Sequence, residues 1–556
     1  MEKTTNTLVD MLFDTNTCST LTENGAKTLI TTGSKIVDQF GKAGNFRGRN
    51  ITDVFEDQAV IWDENAELAI RFPFYLRMVT RKTKVSNQNV TDKVQNGQGA
   101  RDESFKRLLW VAKEHPTEFY KNIWILPIVG SWKDVWTMMY YDIKERIYTI
   151  NKDGMFELLA NGLACDAHVD LVKKFMPRIK SAKKCKTDWT RITNSLAKKF
   201  ANYLGVSVKE YNKLKASGKA HDFQKLICSR QYDKLNWGHI PGRALNLLVT
   251  SKFLDNHNLT DNYVDWIDKQ PVAKFTGYVF ELAHKLYSYN NCYWSGWKGV
   301  KVPYAVKHTL DAQFNGLVEK AKADGNITEN VWCCLDTSGS MNQPVRGLKN
   351  TTCLDVATSL AVFFAELNTG AFHNKVIMFD HKSYPHTMVG DSFCERIMNL
   401  PSVGCGDTNF QSAIDEIIKI RTEHPEIPLE DYPTTILVVS DMQFNPSNRY
   451  SSYRDEDTNY EYSKKSLKTV FPEEFVDNMK FIWWDCASRY GNSDYEASSD
   501  EEGVSFFSGF DGSIISILLG EDAKTVDETT GKVKKLTPEE VVEKALSQEI
   551  LQYITL

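Results

Sequence analysis

Five oxygen-bearing side chains, far apart in this 556-residue chain, carry its clearest chemical signal. Asp336, Ser338 and Ser340 occupy alternate positions in Asp336-Thr337-Ser338-Gly339-Ser340, directly after the apolar run at 331–335. That spacing turns three oxygens inward from one tight loop, and Gly339 permits the turn. Thr408 follows Gly404-Cys405-Gly406-Asp407, and Asp441 follows the apolar run that begins at 435. Ligands of open parallel sheets bind beyond the carboxyl ends of the strands, so all five residues fall where a site belongs. Three hydroxyls and two carboxylates suit a hard divalent cation. Mg2+ takes six oxygens at roughly 2.0–2.1 Å and retains some water, so a few protein oxygens suffice. Mn2+ or Ca2+ is the alternative occupant of such a donor set.

The combination of DxSxS, a threonine loop and a distal aspartate resembles the metal-ion-dependent adhesion site of von Willebrand factor A domains. The resemblance implies Ser338, Ser340 and Thr408 as direct ligands, with Asp336 and Asp441 acting largely through water. It also implies a cation electrophilic enough to accept a carboxylate from an acidic protein partner. A magnesium enzyme would normally add a base and often a phosphate cradle, and no GxxxxGK[ST] loop occurs. His381 and His386 follow a predicted strand near the site edge, but no nucleophile–base pair accompanies them. A metal-using hydrolase is therefore the weakest reading: no catalytic residue is assigned, and a non-enzymatic binding module is expected.

The elements that must position these residues alternate between strand and helix. Apolar runs at 331–335, 375–379, 435–439, 481–484 and 504–507 predict buried strands. Helices are expected at 353–367, 409–420 and 512–519. Strands apolar on both faces, separated by helices, indicate a mostly parallel sheet covered on both sides. The fold expected at 326–520 is thus α/β and Rossmann-like, and by resemblance a von Willebrand A domain. Residues 1–325 read as all-α. At 100–115 the positions Phe105, Leu108, Leu109 and Ala112 form one apolar stripe, and similar segments recur at 35–40, 171–179, 192–204 and 280–287. The polar stretch at 82–99 is expected to be a mobile loop. A linker and a last helix complete the chain at 521–556, with Thr537-Pro538-Glu539-Glu540 as the helix start.

The formal charge of −5 gives no global case for nucleic acid, but fourteen Lys or Arg residues against two acids lie between 171 and 219. Lys173, Lys174, Arg178, Lys180, Lys183, Lys184, Lys186 and Arg191 form a local basic field able to attract an anionic polymer, unless they are simply a solvated face. Trp189 and Tyr203 stand among them as candidate stacking surfaces, whereas Trp110, Trp132 and Trp136 sit among apolar neighbours and are expected in the core. The eleven scattered cysteines show no zinc-ligand spacing and suit a reducing compartment. No apolar run approaches the roughly 20 residues that span a bilayer. A cytoplasmic protein without membrane contact is expected, virion-associated were its source a virus.

A wider resemblance covers nearly the whole chain. Leu21-Thr22-Glu23-Asn24-Gly25-Ala26, the segment 33–40, Phe74-Tyr75-Leu76-Arg77, His115-Pro116, Gly130-Ser131-Trp132-Lys133-Asp134, Ile240-Pro241, Val439-Ser440-Asp441-Met442-Gln443-Phe444 and Ser508-Gly509-Phe510 are similar to an uncharacterised family, domain of unknown function 2828, of plants, fungi, bacteria, phages and large viruses. That family's GGKGxR loop is kept only in part, as Gly97-Gln98-Gly99-Ala100-Arg101. More distantly, the architecture resembles Ro ribonucleoproteins, in which a ring of helical repeats (the TROVE module) is closed by a von Willebrand A domain and binds structured and single-stranded RNA. By that resemblance residues 1–325 would be a TROVE-like helical-repeat domain. The function expected is a divalent-metal-dependent scaffold associated with RNA. The alternative is a metal-dependent protein-interaction or assembly component, for example in a virion, without nucleic acid.

Overall fold

The computed structural model describes residues 19–79, 81–83, 93–218, 222–290, 297, 299–325, 329–345, 348, 351–401, 406–447, 457–487, 494–510, 525–526 and 533–556. The fold is two-part, with a helical unit and an α/β unit built on a mostly parallel six-stranded sheet. By packing, residues 1–46 and 241–545 form one unit, and residues 47–240 with 546–556 form the other. This division differs from the expected one at residue 325, where composition changes. The helices between 241 and 325 and residues 19–46 belong with the sheet. Among the described residues no helix is long and apolar enough to cross a membrane.

In chain order the strands are β1 (Ser19–Leu21), β2 (Lys27–Leu29), β3 (Arg81–Thr83), β4 (Lys93–Gln95), β5 (Val331–Asp336), β6 (Lys375–Phe379), β7 (Ser383–Thr387), β8 (Thr435–Ser440), β9 (Lys480–Asp485) and β10 (Val504–Ser508), followed by the short antiparallel pair β11 (Thr525–Val526) and β12 (Val533–Lys534). The main sheet runs β10-β9-β8-β5-β6-β7, and only β7 is antiparallel to its neighbour. β5 and β8 are buried along their whole length, as a sheet covered on both faces requires. Successive strand residues point to opposite faces, and β9 shows what covers each. Trp484 meets Phe364 of the Cys353–Leu367 helix, whereas Trp483 meets Phe410, which precedes the Gln411–Glu423 helix.

The first described residues close this unit. The Lys35–Ala43 helix packs on β10, with Phe40 against Phe507, and a Cβ on Gly44 would lie 2.4 Å from the Ser508 carbonyl. Only glycine allows that approach. Thr22 Oγ1 donates to the Phe444 carbonyl at 2.6 Å, and Leu29 N donates to the Tyr495 carbonyl at 2.8 Å. The segments 21–26 and 33–40 therefore complete the sheet unit.

Two expectations change. β7 was not anticipated: its alternation is masked because it is an exposed edge strand carrying Pro385, a residue edges tolerate. The ends of the 82–99 stretch, expected to be a mobile loop, pair as the antiparallel ladder β3–β4, while residues 84–92 lie outside the described residues. The helix expected at 512–519 also lies outside them. The last helix, Pro538–Leu546, begins as its capping pattern predicts, with Glu540 N donating to Thr537 Oγ1 at 3.2 Å.

In the helical unit, Arg77 ends the Ala66–Arg77 helix and donates through Nε and Nη2 to Asp134 Oδ2 at 3.0 and 2.6 Å. Asp134 is fully buried in the first turn of the Trp132–Lys144 helix. Its carboxylate also accepts from Ser131 N at 2.7 Å and Arg101 Nη2 at 3.2 Å. A Cβ on Gly130 would lie 2.3 Å from Asp134 Oδ2, so glycine is required there. Asp134→Ala would remove the buried carboxylate that Arg77, Arg101 and Ser131 all bond, and breaking a buried pair costs about 3–5 kcal/mol. Urea unfolding of Asp134→Ala should show that loss, with a smaller one for Gly130→Ala; a loss below about 1 kcal/mol for Asp134→Ala would show that the pair does not hold the unit.

Candidate metal centre

The five oxygen-bearing residues converge on the carboxyl-end rim of the sheet. Asp336 is the last residue of β5 and fully buried. Its Oδ1 accepts from Ser338 N at 2.8 Å, and its Oδ2 accepts from Ser440 Oγ at 2.5 Å. The turn that follows brings Ser338 Oγ within 3.1 Å of Ser340 Oγ. Gly339 N donates to the Gly406 carbonyl at 3.3 Å, which ties this turn to the loop carrying Thr408. Thr408 is buried, and its carbonyl accepts from Asn445 N at 2.8 Å, so the loop is fixed to the segment after β8 as well. Gly404 and Cys405 lie outside the described residues. Asp441 directly follows β8, is buried, and accepts from Gln343 Nε2 at 2.8 Å. Met442 next to it holds a φ of +65°, a left-handed conformation uncommon for such a side chain that tight surroundings impose.

The electrostatics of the rim suit a cation. Burial, and then the neighbouring Asp441, push the Asp336 carboxyl up to about 7. Among the described residues Asp336 has no cationic side-chain partner; hydrogen bonds alone hold it. Burying unpaired carboxylate charge is costly, and a hard divalent ion with oxygen ligands relieves that cost directly. Among the described residues no three His, Cys, Asp or Glu side chains cluster as a metal site, so hydroxyls are indispensable to any set formed here.

Several neighbours were not legible beforehand. Ser440 and Gln343 orient the two carboxylates but bear no recognisable spacing. Of the two histidines weighed, His381 reaches the edge. Its Nδ1 lies 2.7 Å from buried Asp380 Oδ1, and Asp380 O accepts from Asn409 N beside Thr408. His386 instead pairs with Val376 toward the far end of β6. Lys42, from the Lys35–Ala43 helix, lines a small cavity with Asp441, Asp485 and Asp494. Burial lowers its amine's pKa against the opposing pull of Asp485 and Asp494.

The basic stretch divides by exposure. Lys180, Lys183, Lys184 and Lys186 are exposed and have no acidic partner among the described residues. Lys180 N donates to Asn194 Oδ1 at 2.8 Å and Ile179 N to Asn212 Oδ1 at 3.0 Å, which pin the start of this segment to two helices. Arg178 is exposed, Lys173 and Lys174 are half-buried, and Arg191 is engaged by Asp188. Trp189 packs on Tyr140 beneath Lys133, whereas Tyr203 is 44% exposed. Trp110, Trp132 and Trp136 are buried.

Comparison with known proteins gives a family model and a relative of unknown role, and a distant structural likeness. Residues 330–550 match the domain of unknown function DUF7788. An uncharacterized protein of Acanthamoeba polyphaga mimivirus is 21% identical over 533 residues, covering 90% of this chain and 84% of that protein. The crystal structure of the Deinococcus radiodurans Ro (RSR) protein superposes with a TM-score of 0.44 at 13% identity, over 93% of this chain and 99% of that one.

With chelator present, Asp336 should bind a proton in the folded state from the ordinary carboxylate range up to about 7. A raised folded pKa gives stability that is present at low pH and lost as pH rises through the folded value. The metal-free protein should therefore lose stability relative to Asp336→Asn between about pH 4 and 7, with a slope up to about 1.4 kcal/mol per pH unit. Parallel pH–stability curves for the two proteins would refute the assignment.

Proposed function

We propose that the α/β unit is a von Willebrand A-type domain and that the protein is a non-enzymatic, divalent-cation-dependent binding scaffold. The observation that carries this reading is the meeting of the Asp336–Ser340 turn, the Gly406–Thr408 loop and Asp441 on one rim. Ser338, Ser340 and Thr408 would ligate Mg2+, or Mn2+ or Ca2+, directly; Asp336 and Asp441 would hold its waters. The bound ion supplies a Lewis-acidic position that a carboxylate of an acidic protein partner completes. With neutral hydroxyls as direct ligands the cation keeps most of its charge for that partner. The exposed position of Gly339 leaves the turn approachable from solvent.

The full-length protein should bind Mn2+ saturably by calorimetry, with Asp336→Ala and Thr408→Ala each weakening it by roughly tenfold or more, about 1.4 kcal/mol. A partner retained from the native source in Mg2+ should elute with EDTA and be absent with Asp336→Ala. Equal recovery from both proteins, or no saturable Mn2+ binding, would end the reading.

A specific observation favours RNA as a further ligand. Four exposed lysines without acidic partners on one pinned segment form a surface for phosphates, with Tyr203 exposed nearby in the chain. Replacing Lys180, Lys183, Lys184 and Lys186 together by glutamate should abolish RNA retention at low salt. The wild-type affinity should fall with salt at a log–log slope of about −3 if four phosphates are engaged on a single strand. Wild-type protein that retains no RNA at low salt leaves only the metal-dependent protein-interaction component, virion-associated if its source is viral.

A further inference from the structure

Beside the candidate metal centre, the ends of β8 and β9 gather more acid than the five residues of the rim account for. Asp485, the last residue of β9, stands in register with Ser440, which donates to Asp336 and directly precedes Asp441. Parallel neighbours of this kind lie about 4.8 Å apart. Asp485 Oδ1 accepts from Ala487 N at 2.7 Å. Asp494 is buried, and its Oδ2 accepts at 2.7 Å from Nε2 of Gln443, just beyond Asp441. Asp441, Asp485 and Asp494 line one cavity of about 20 Å3. That is room for about one water.

Among the described residues that line this cavity, the cation is Lys42. Its place is fixed from several sides. A Cβ on neighbouring Gly41 would lie 3.0 Å from Phe506 Cβ, so the Lys35–Ala43 helix is pressed against β10. At the end of that helix Gly44 N donates to Ser508 Oγ at 3.1 Å. The Lys42 ammonium lies 4.8 Å from the centre of the Tyr495 ring, and Tyr495 OH donates to the Asp38 carbonyl at 2.8 Å. The charges that bear on the ammonium are Asp485 first, then Asp494 and Asp38. Four carboxylates, Asp336, Asp441, Asp485 and Asp494, thus gather around one ammonium, an excess of three negative charges when all are ionised. One divalent cation at the rim reduces that excess to one, whereas without Lys42 it would leave two. A hydrated second cation needs far more space than a single water, so Lys42 is what compensates Asp485 and Asp494.

We infer that Lys42 sets the cation affinity of the candidate metal centre: its fixed ammonium opposes the charge of the ion and keeps divalent binding weaker than the four carboxylates alone would make it. This rests on the metal reading of the rim. A charge held in the interior acts through a medium less polar than water, and salt screens it less than a surface charge. A lysine that only pairs acids for the sake of the fold predicts lost stability on its removal and no gain in ion binding. An opposing charge predicts tighter ion binding, the reverse of what losing a ligand does.

Mn2+ alone is the probe, titrated by calorimetry into the full-length protein at fixed pH and salt. Lys42→Met should bind Mn2+ about tenfold more tightly than wild type, and Lys42→Arg should match wild type. Asp494→Asn keeps an acceptor for Gln443 and should weaken binding about threefold or more. The Lys42→Met/Asp494→Asn double variant should fall between the two single variants. Lys375→Met, which removes an exposed charge at the amino end of β6, should change nothing. Urea unfolding in EDTA establishes which variants fold; should Lys42→Met fail, Lys42→Gln and Asp494→Asn carry the test. A folded Lys42→Met or Lys42→Gln that binds Mn2+ within about twofold of wild type, or more weakly, overturns the inference while the metal reading stands. Unchanged affinity in Asp494→Asn, or an equal gain in Lys375→Met, does the same. Wild-type protein that binds no Mn2+ overturns the metal reading itself, and this inference with it.

Discussion

Two carboxylates buried side by side repel each other, and the carboxyl-end rim of the sheet is organised around that repulsion. Asp336 arrives at the end of a strand whose six residues are all buried, so it cannot turn to water. Asp441 follows the neighbouring strand β8, equally buried, and comes to the same place. Hydrogen bonds from Ser338 N, Ser440 Oγ and Gln343 Nε2 orient the two groups but do not neutralise them. A proton on Asp336 relieves the repulsion, and a cation bound between the loops, as proposed, would compete with that proton.

Holding two like charges together requires a stiff frame, and much of that frame comes from the opposite end of the chain. The Lys35–Ala43 helix lies on β10 with glycines at its closest approaches. Asn45 accepts from Gly509 N at 2.9 Å and donates to the Asp485 carbonyl, so it bridges the ends of β9 and β10. Thr22 and Asn24 bond to the Phe444 and Gln443 carbonyls just after Asp441. The segment that follows Asp441 is thereby clamped by residues more than four hundred positions away in the chain. Lys42 enters on the same helix and places a positive charge beside Asp485 and Asp494, which softens the acidic field of the rim.

How far the sequence could be read follows from which signals are local. The strands and the Cys353–Leu367 helix were legible because burial on both faces leaves long apolar runs, and the DxSxS turn because three oxygens share one loop. The cap of the last helix was legible for the same local reason. β7 was not, since an exposed edge strand with a proline lacks both alternation and apolar length. The membership of residues 19–46 in the sheet unit was illegible too, because it rests on single hydrogen bonds such as Thr22 to Phe444 that leave no periodicity. Ser440, Gln343 and the Asp380–His381 pair belong to the same class: partners across loops, invisible until the loops are in place.

The residues singled out in the sequence separate into two physical kinds. In the first, every interaction is already satisfied within the fold. Arg77 and Asp134 neutralise each other, Gly130 exists to let them meet, and Thr22 and Asn24 are consumed by the backbone they hold. Such residues explain why the chain folds and need no ligand. In the second kind the electrostatics are left open: Asp336 faces another acid, and four lysines between 180 and 186 face water without acids among the described residues. Folding gains nothing from a buried acid set against its like or from a run of exposed cations, since both raise the energy of the isolated chain. Their presence makes physical sense when something outside the chain completes them, a cation in the first case and a polyanion in the second. That asymmetry, rather than likeness to any other protein, is the ground for reading this molecule as a binding scaffold.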